Sequence, residues 1–186
     1  MIWGAFPLRP RLGSCYRRDM KITRLAVTAY AFALIVVVVD QLTKAWMIGV
    51  DLREIGRIPV WPGVFNFSWV ENTGVSFGLF GGGSARWVLV VFPILVSGFL
   101  AWWATQVDRR LLITAIGLIM GGALGNAIDR IRFGYVIDFL DFSQTGLFPY
   151  VFNVADSAIT VGVALLLLDA LLSERAAKVG AAHEKS

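Results

Sequence analysis

Two aspartates stand in apolar surroundings where ionisable groups are costly: Asp138 within YVIDF (135–139) and Asp156 within FNVADS (152–157). A charge at membrane depth costs about 2.5 to 3.5 kcal/mol on insertion scales, so each needs a partner or a chemical role. Burial raises a carboxyl pKa, and a second carboxylate nearby raises one of the pair further. Two such acids sharing a proton supply a base and an acid together. The base activates water against a peptide carbonyl, and the acid protonates the oxyanion or the leaving amine. Each residue also has a structural reading. Asn153 and Asp156 have the spacing of a capping box at a helix start, and Asp138 could be an interfacial loop acid paired with Arg130 or Arg132.

More polar groups crowd the same stretch, 121–160, among them Asn126, Asp129, Arg130, Asp141 and Asn153. Gly122, Asn126 and Arg130 recur every four residues and make a polar stripe on one helix face. Arg130 on that stripe could hold a lipid phosphate or a carbonyl, or snorkel to the interface. Asp40 and Lys44 are also four apart and can pair, either locking a bundle or positioning a loop or substrate. Asn72 is a turn residue or a hydrogen bonder to a substrate backbone.

Four apolar runs must position these groups. The chain is 57% hydrophobic and only 16% charged over 186 residues, with a mean hydropathy of +0.69, well outside the soluble range. The first run is Leu25–Val39, continuing to Val50, and the second is Trp87–Thr105. Leu111–Ile128 and Val151–Leu172 are the third and fourth. Each is long enough to cross about 30 Å of hydrocarbon. The first follows a basic segment, as a signal peptide would, but no small-x-small site follows it, so it reads as a retained span. Gly117, Gly121 and Gly125 give the third run a face for close helix approach. The connection 51–86 carries Pro59, Pro62 and a Gly81–Gly83 run. Its alternations at 64–70 and 75–79 predict short strands on the membrane surface, with a turn at 72–74.

With the N-terminus inside, eleven Lys and Arg lie in inner segments and five in outer ones. This bias predicts cytoplasmic termini and places the polar cluster at the outer face. The division is a basic cytoplasmic segment 1–24, a four-helix domain 25–172 with its outer β-rich loop 51–86, and a cytoplasmic tail 173–186. Translation could start at Met1 or Met20. The net charge of +4 reflects this topology and calls for no nucleic acid. A single cysteine, Cys15, allows no intrachain disulfide, and the single histidine, His183, lies in the tail. A zinc protease or a Ser-His-Asp hydrolase therefore lacks its central residue within the apolar body.

Five segments in order, VDQLTK (39–44), ENTGVSF (71–77), GGALGNAIDR (121–130), VIDF (136–139) and FNVADS (152–157), resemble the signatures of the lipoprotein signal peptidase (signal peptidase II) family. The resemblance covers about residues 25–172. It implies four transmembrane helices with an outer-face β-cradle and a short outer helix, in the bacterial inner membrane. It further implies a peptidase that cuts diacylglyceryl-modified prolipoproteins before the lipidated cysteine; the chain is expected to be a monomer among membrane lipids, with no cofactor or metal. Carried over by motif, Asp138 and Asp156 would be catalytic. Asp40, Lys44, Asn72, Gly122, Asn126, Arg130 and Asn153 would support the site, and Asp129 would hold structure. Val75-Ser76 departs from the family's usual pair of small residues, and the segment before Met20 has no counterpart. From other classes, a transporter or proton relay would favour acids near the bilayer midplane and inverted repeats, and no repeat is visible. A purely structural subunit, or a Ser-Lys protease built on Ser157 and Lys44, are the remaining alternatives.

Overall fold

The computed structural model describes residues 24–74, 84–146 and 148–183. The basic N-terminal segment with both possible starts, the expected strand at 75–79 and the Gly81–Gly83 run lie outside the described residues. Four long helices follow the apolar runs: α1 (Arg24–Gly49), α3 (Ser84–Ala104), α4 (Arg110–Arg132) and α5 (Val154–His183). All four are long and apolar enough to cross a membrane. A one-turn helix, α2 (Leu52–Ile55), follows α1 on the connection to α3.

The centre of the bundle is α4. In its most apolar window 61% of residues are buried, against 22–28% in the other three. Its glycines explain this. A Cβ on Gly117 would sit 2.6 Å from Ala29 O of α1, and one on Gly121 2.6 Å from Val36 Cβ. Gly125 leaves room for the Asp40 carboxyl, and Gly122 faces the other way, where a Cβ would run into Ala155 O of α5. One helix thus receives α1 and α5 on two small-residue faces.

The four helix ends remote from the chain termini carry an antiparallel sheet in the order β1 (Arg57–Trp61), β2 (Phe65–Asn72), β3 (Val136–Asp141), β4 (Val151–Phe152). Pro59 is tolerated because β1 is an edge strand. Met47, Leu52, Ile137 and Phe139 form the buried core between the sheet and α1. Aromatic contacts fasten the far side: Phe142 lies 4.7 Å from Phe65 and 5.9 Å from Phe152, ring centre to ring centre. At the opposite end of the bundle, Arg109 pairs with Asp169 at 2.8 Å and joins the α3–α4 turn to α5.

Two expectations need correction. Val151 and Phe152 do not begin the fourth helix; they pair with Asp141 and Leu140 as β4, and the helix starts only after Asn153. Asp138 is not a loop acid. It stands in β3, which pairs with β2 from Asn66–Asp141 to Asn72–Val136.

Candidate active site

The site is built outward from the pair on α1. Asp40 and Lys44, one helical turn apart, meet at 2.8 Å, and Lys44 Nζ also lies 2.7 Å from Asp129 Oδ2 of α4. Lys44 is 2% exposed and both aspartates are fully buried. The remaining lone pairs are taken by donors from other elements. Asp40 Oδ1 accepts the Ala155 N–H of α5 at 3.0 Å, while Asp129 accepts from Gln41 Nε2 at 2.8 Å and from the Ile137 N–H of β3 at 3.2 Å. One ammonium and two carboxylates thereby fix α1, α4, α5 and the start of β3 relative to one another.

Lys44 also sets the direction of an amide chain. Its Nζ donates to Asn126 Oδ1 at 3.3 Å. An ammonium has donors only, so Asn126 turns its oxygen toward it. The Asn126 Nδ2 then points to Asp156 Oδ1 at 2.7 Å. Asn153 continues the chain: its Nδ2 reaches Asn126 Oδ1 at 3.2 Å and Asp138 Oδ1 at 2.6 Å.

Asn153 is also the residue before α5, and there it forms a reciprocal cap. Its Oδ1 accepts the Asp156 N–H at 2.9 Å, and its own N–H donates to Asp156 Oδ2 at 3.3 Å. The spacing gave this cap, but the cap is not an alternative to a chemical role. The same asparagine holds Asp138 with its side chain and Asp156 with its backbone, so the capping geometry brings the two carboxyls to one place.

On the sheet side, Asn72 at the end of β2 donates from Nδ2 to Asp138 Oδ2 at 3.0 Å, while its Oδ1 accepts the Gly74 N–H at 2.9 Å. Asn72 is both a turn residue and a partner of the candidate site. Asp138 is 2% exposed. Burial first, and the charge of Asp156 second, push its pKa up to about 6, against the opposing hydrogen bonds from Asn72 and Asn153. A cleft of about 510 Å³ opens onto it, lined by Glu71, Asn72 and Gly74 on one side and Tyr150 on the other.

The other residues of the sequence cluster separate. Asp138 and Asp141 are three apart on β3, and strand alternation sends them to opposite faces. Asp141 is fully buried and accepts from Ser68 Oγ at 2.6 Å, the Ser143 N–H at 2.9 Å and Arg57 at 3.0 Å. Burial alone would raise its pKa, but the Ser143 and Ser68 hydrogen bonds and the Arg57 charge outweigh burial and hold it below the usual carboxylate range. It ties the sheet and stands outside the site. Neither expected arginine holds Asp138 through a hydrogen bond. Arg132 donates to Gln41 Oε1 at 3.2 Å. Arg130 packs against Gly74, is charged toward Asp156 and Asp138, and has an Nε with no partner among the described residues. Gly122 admits the first turn of α5, which carries Asp156. Ser157 Oγ is bonded to Asn153 O at 2.9 Å while Lys44 is held by acids and Asn126, so these two do not form a Ser-Lys dyad. Gln41 was not singled out in the sequence; its place beside Asp40 in VDQLTK is the signal that could have found it.

The sequence and the fold both have counterparts among known proteins. Residues 32–172 match the family model described as signal peptidase (SPase) II. The lipoprotein signal peptidase of Caulobacter vibrioides is 50% identical over 158 residues, covering 84% of this chain and 94% of that protein. That of Sphingopyxis alaskensis is 42% identical over 146 residues, covering 76% and 83%. A solved bacterial membrane enzyme superposes with a TM-score of 0.69 at 32% identity, over 82% of this chain and 92% of its own. With the family model, these relatives and the fold in agreement, the chain belongs to the signal peptidase II family, a family of membrane peptidases.

Proposed function

We propose that this peptidase is an intramembrane aspartic endopeptidase that removes the signal peptide from diacylglyceryl-modified prolipoproteins, cutting before the lipidated cysteine. The observation that carries the reading is the double grip of Asn153, Nδ2 on Asp138 and main-chain N–H on Asp156, which ties the two carboxyls to one residue, with Asp138 lining an open cleft. The two carboxyls work as an acid–base pair. In its singly protonated form one carboxylate takes a proton from water as the oxygen attacks the scissile carbonyl carbon. The other carboxyl then protonates the oxyanion, and the C–N bond breaks as a proton passes to the amine. Burial and the charge of Asp156 push the Asp138 pKa up to about 6, so its carboxyl takes a proton more readily than an ordinary aspartate does. Asn72, Asn126 and Asn153 orient the pair. Asp40, Lys44 and Asp129 orient Asn126 and the helices that carry the pair, Gly122 lets α5 approach, and Arg130 places its positive charge near the pair.

In this reading the protein is a monomer of the bacterial inner membrane with both termini in the cytoplasm. Residues 25–172 form the peptidase domain, and the sheet and the aspartates lie at the outer face, as the Lys and Arg distribution supports. A proton relay across the bilayer is disfavoured because the acids gather at one end of the bundle. The test is cleavage of a lipidated prolipoprotein by purified wild type, Asp138→Asn and Asp156→Asn, each with its thermal unfolding recorded in detergent. Loss of cutting in both folded variants is expected. Near wild-type cutting by either would remove that residue from the chemistry and leave Asp156 a cap or Asp138 a buried acid of the sheet.

A further inference from the structure

A second groove adjoins the candidate site on the other side of Tyr150, which lines both. It has a volume of about 420 Å³ and is walled by Phe148, Tyr150 and Phe152, with Asp156 and Val161 of α5 opposite. The hydroxyls in its lining are engaged by main-chain carbonyls: Ser157 Oγ donates to Asn153 O and Thr160 Oγ1 to Asp156 O, both at 2.9 Å. The groove thus offers a mostly apolar wall and one carboxyl, that of Asp156. Phe148 is 60% exposed and Val161 51%, so the groove is open on the outward face of a span, where hydrocarbon lies. The cleft at Asp138 is polar by contrast, with Glu71, Asn72, Thr73 and Gly74 along it.

We propose that this α5 groove holds an acyl chain of the diacylglyceryl group on the substrate cysteine, while the polar cleft holds the peptide. The inference rests on the peptidase reading above and adds which surface reads the lipid. Size selects the occupant. A helix with its side chains is about 10 Å across, so 420 Å³ would hold only about one turn of it, whereas an extended chain can lie along the whole groove. Continuity supplies the second argument, because Asp156 lines the groove and Tyr150 is shared with the cleft at Asp138. A lipid seated there sets the bond preceding the modified cysteine between the two carboxyls, and the acyl chain acts as a ruler for the cut.

The experiment uses two substrates of one peptide sequence, carrying long-chain and short-chain diacylglyceryl groups, cut by the full-length wild type, Val161→Trp and Leu95→Trp. Leu95 is 66% exposed on α3, away from the groove, and its variant controls for an added indole on the lipid face. Val161→Trp should lower kcat/KM for the long-chain substrate about tenfold, as displacing roughly two methylenes would. The short-chain substrate should stay within about twofold of wild type on the same scale, and Leu95→Trp should change neither. Equal losses on both substrates would show that the groove takes the signal helix, and no loss on either would show that it takes nothing the reaction uses. Each of these overturns the acyl assignment and leaves the peptidase standing. A wild type that cuts neither substrate would instead overturn the peptidase reading and the acyl assignment with it.

Discussion

Replacing Asp138 by asparagine should stabilise the protein at alkaline pH and lose that advantage in acid. Asp138 is 2% exposed, and its pKa is pushed up to about 6 from 3.8 by burial and by Asp156. A carboxyl whose folded pKa is raised binds more protons folded than unfolded, so stability falls as pH rises from the unfolded toward the folded value. Above about pH 6 the ionised group costs the folded state about 3 kcal/mol, at 1.36 kcal/mol per pKa unit; near pH 4.5 that cost has dropped to about 1 kcal/mol. Asparagine removes the charge but not without loss. Its Oδ1 can still accept from Asn153, yet its amide would face Asn72 Nδ2, whose oxygen is held by the Gly74 N–H. One lost hydrogen bond costs about 1 kcal/mol. The net gain is about 2 kcal/mol near pH 8 and about zero near pH 4.5. For a chain of this size that raises Tm by about 4 to 8 °C near pH 8 and leaves it nearly unchanged in acid. Differential scanning fluorimetry in detergent at the two pH values measures this. A variant whose Tm shift is the same at both, or lower near pH 8, would refute the argument that Asp138 is held against its charge.

Lys44→Met should cost about 3 to 5 kcal/mol, because it leaves the fully buried Asp40 and Asp129 without their cation; a Tm within about 2 °C of wild type would show that this triad does not hold the bundle. Gly122→Ala should destabilise by about 1 to 3 kcal/mol as its Cβ meets Ala155 O, whereas Gly98→Ala, with nothing within 4 Å, should be neutral or stabilising, and equal melting of the two would count against the close α4–α5 approach. Asp141→Asn should lower Tm at neutral pH. Its folded pKa lies below 3.8, so its stabilisation is present above that value and disappears as pH falls below it; an undiminished difference near pH 2 would contradict this assignment.

The parts of this protein that were legible in the sequence are those set by local spacing. Hydropathy marked four spans because each must satisfy its backbone within itself. The four-residue repeat of Gly117, Gly121 and Gly125 marked the α1-facing side of α4, the i, i+4 spacing gave the Asp40–Lys44 pair, and Asn153-x-x-Asp156 gave the cap. What spacing could not give is pairing across the chain. The six residues of β3 form a short apolar run interrupted by two acids, and their partner strand lies more than 60 residues upstream. A loop acid near two arginines was therefore as good a description of Asp138 as a strand residue. The start of α5 was misplaced for the same reason: Val151 and Phe152 are as apolar as the helix after them, and only their pairing with Asp141 and Leu140 makes them a strand.

That division explains why a capping box and an acid pair are compatible here. A helix N-terminus needs acceptors for its free N–H groups, and a carboxylate near the bilayer needs donors. Asp156 at the third position of α5 answers both needs, with Asn153 as the reciprocal partner. Because the cap fixes Asn153 by its oxygen, the Nδ2 has one direction left, toward β3, and it meets Asp138 and Asn126 there. The direction of Asn126 is in turn decided by Lys44, a group that can only donate. The charge on α1, remote in sequence from both acids, therefore determines which end of the Asn126 amide faces Asp156. A neutral side chain in place of Lys44 would free Asn126 to turn over and present an oxygen to Asp156. The fault would then spread along a chain of hydrogen bonds to Asp138 while both aspartates stayed in place.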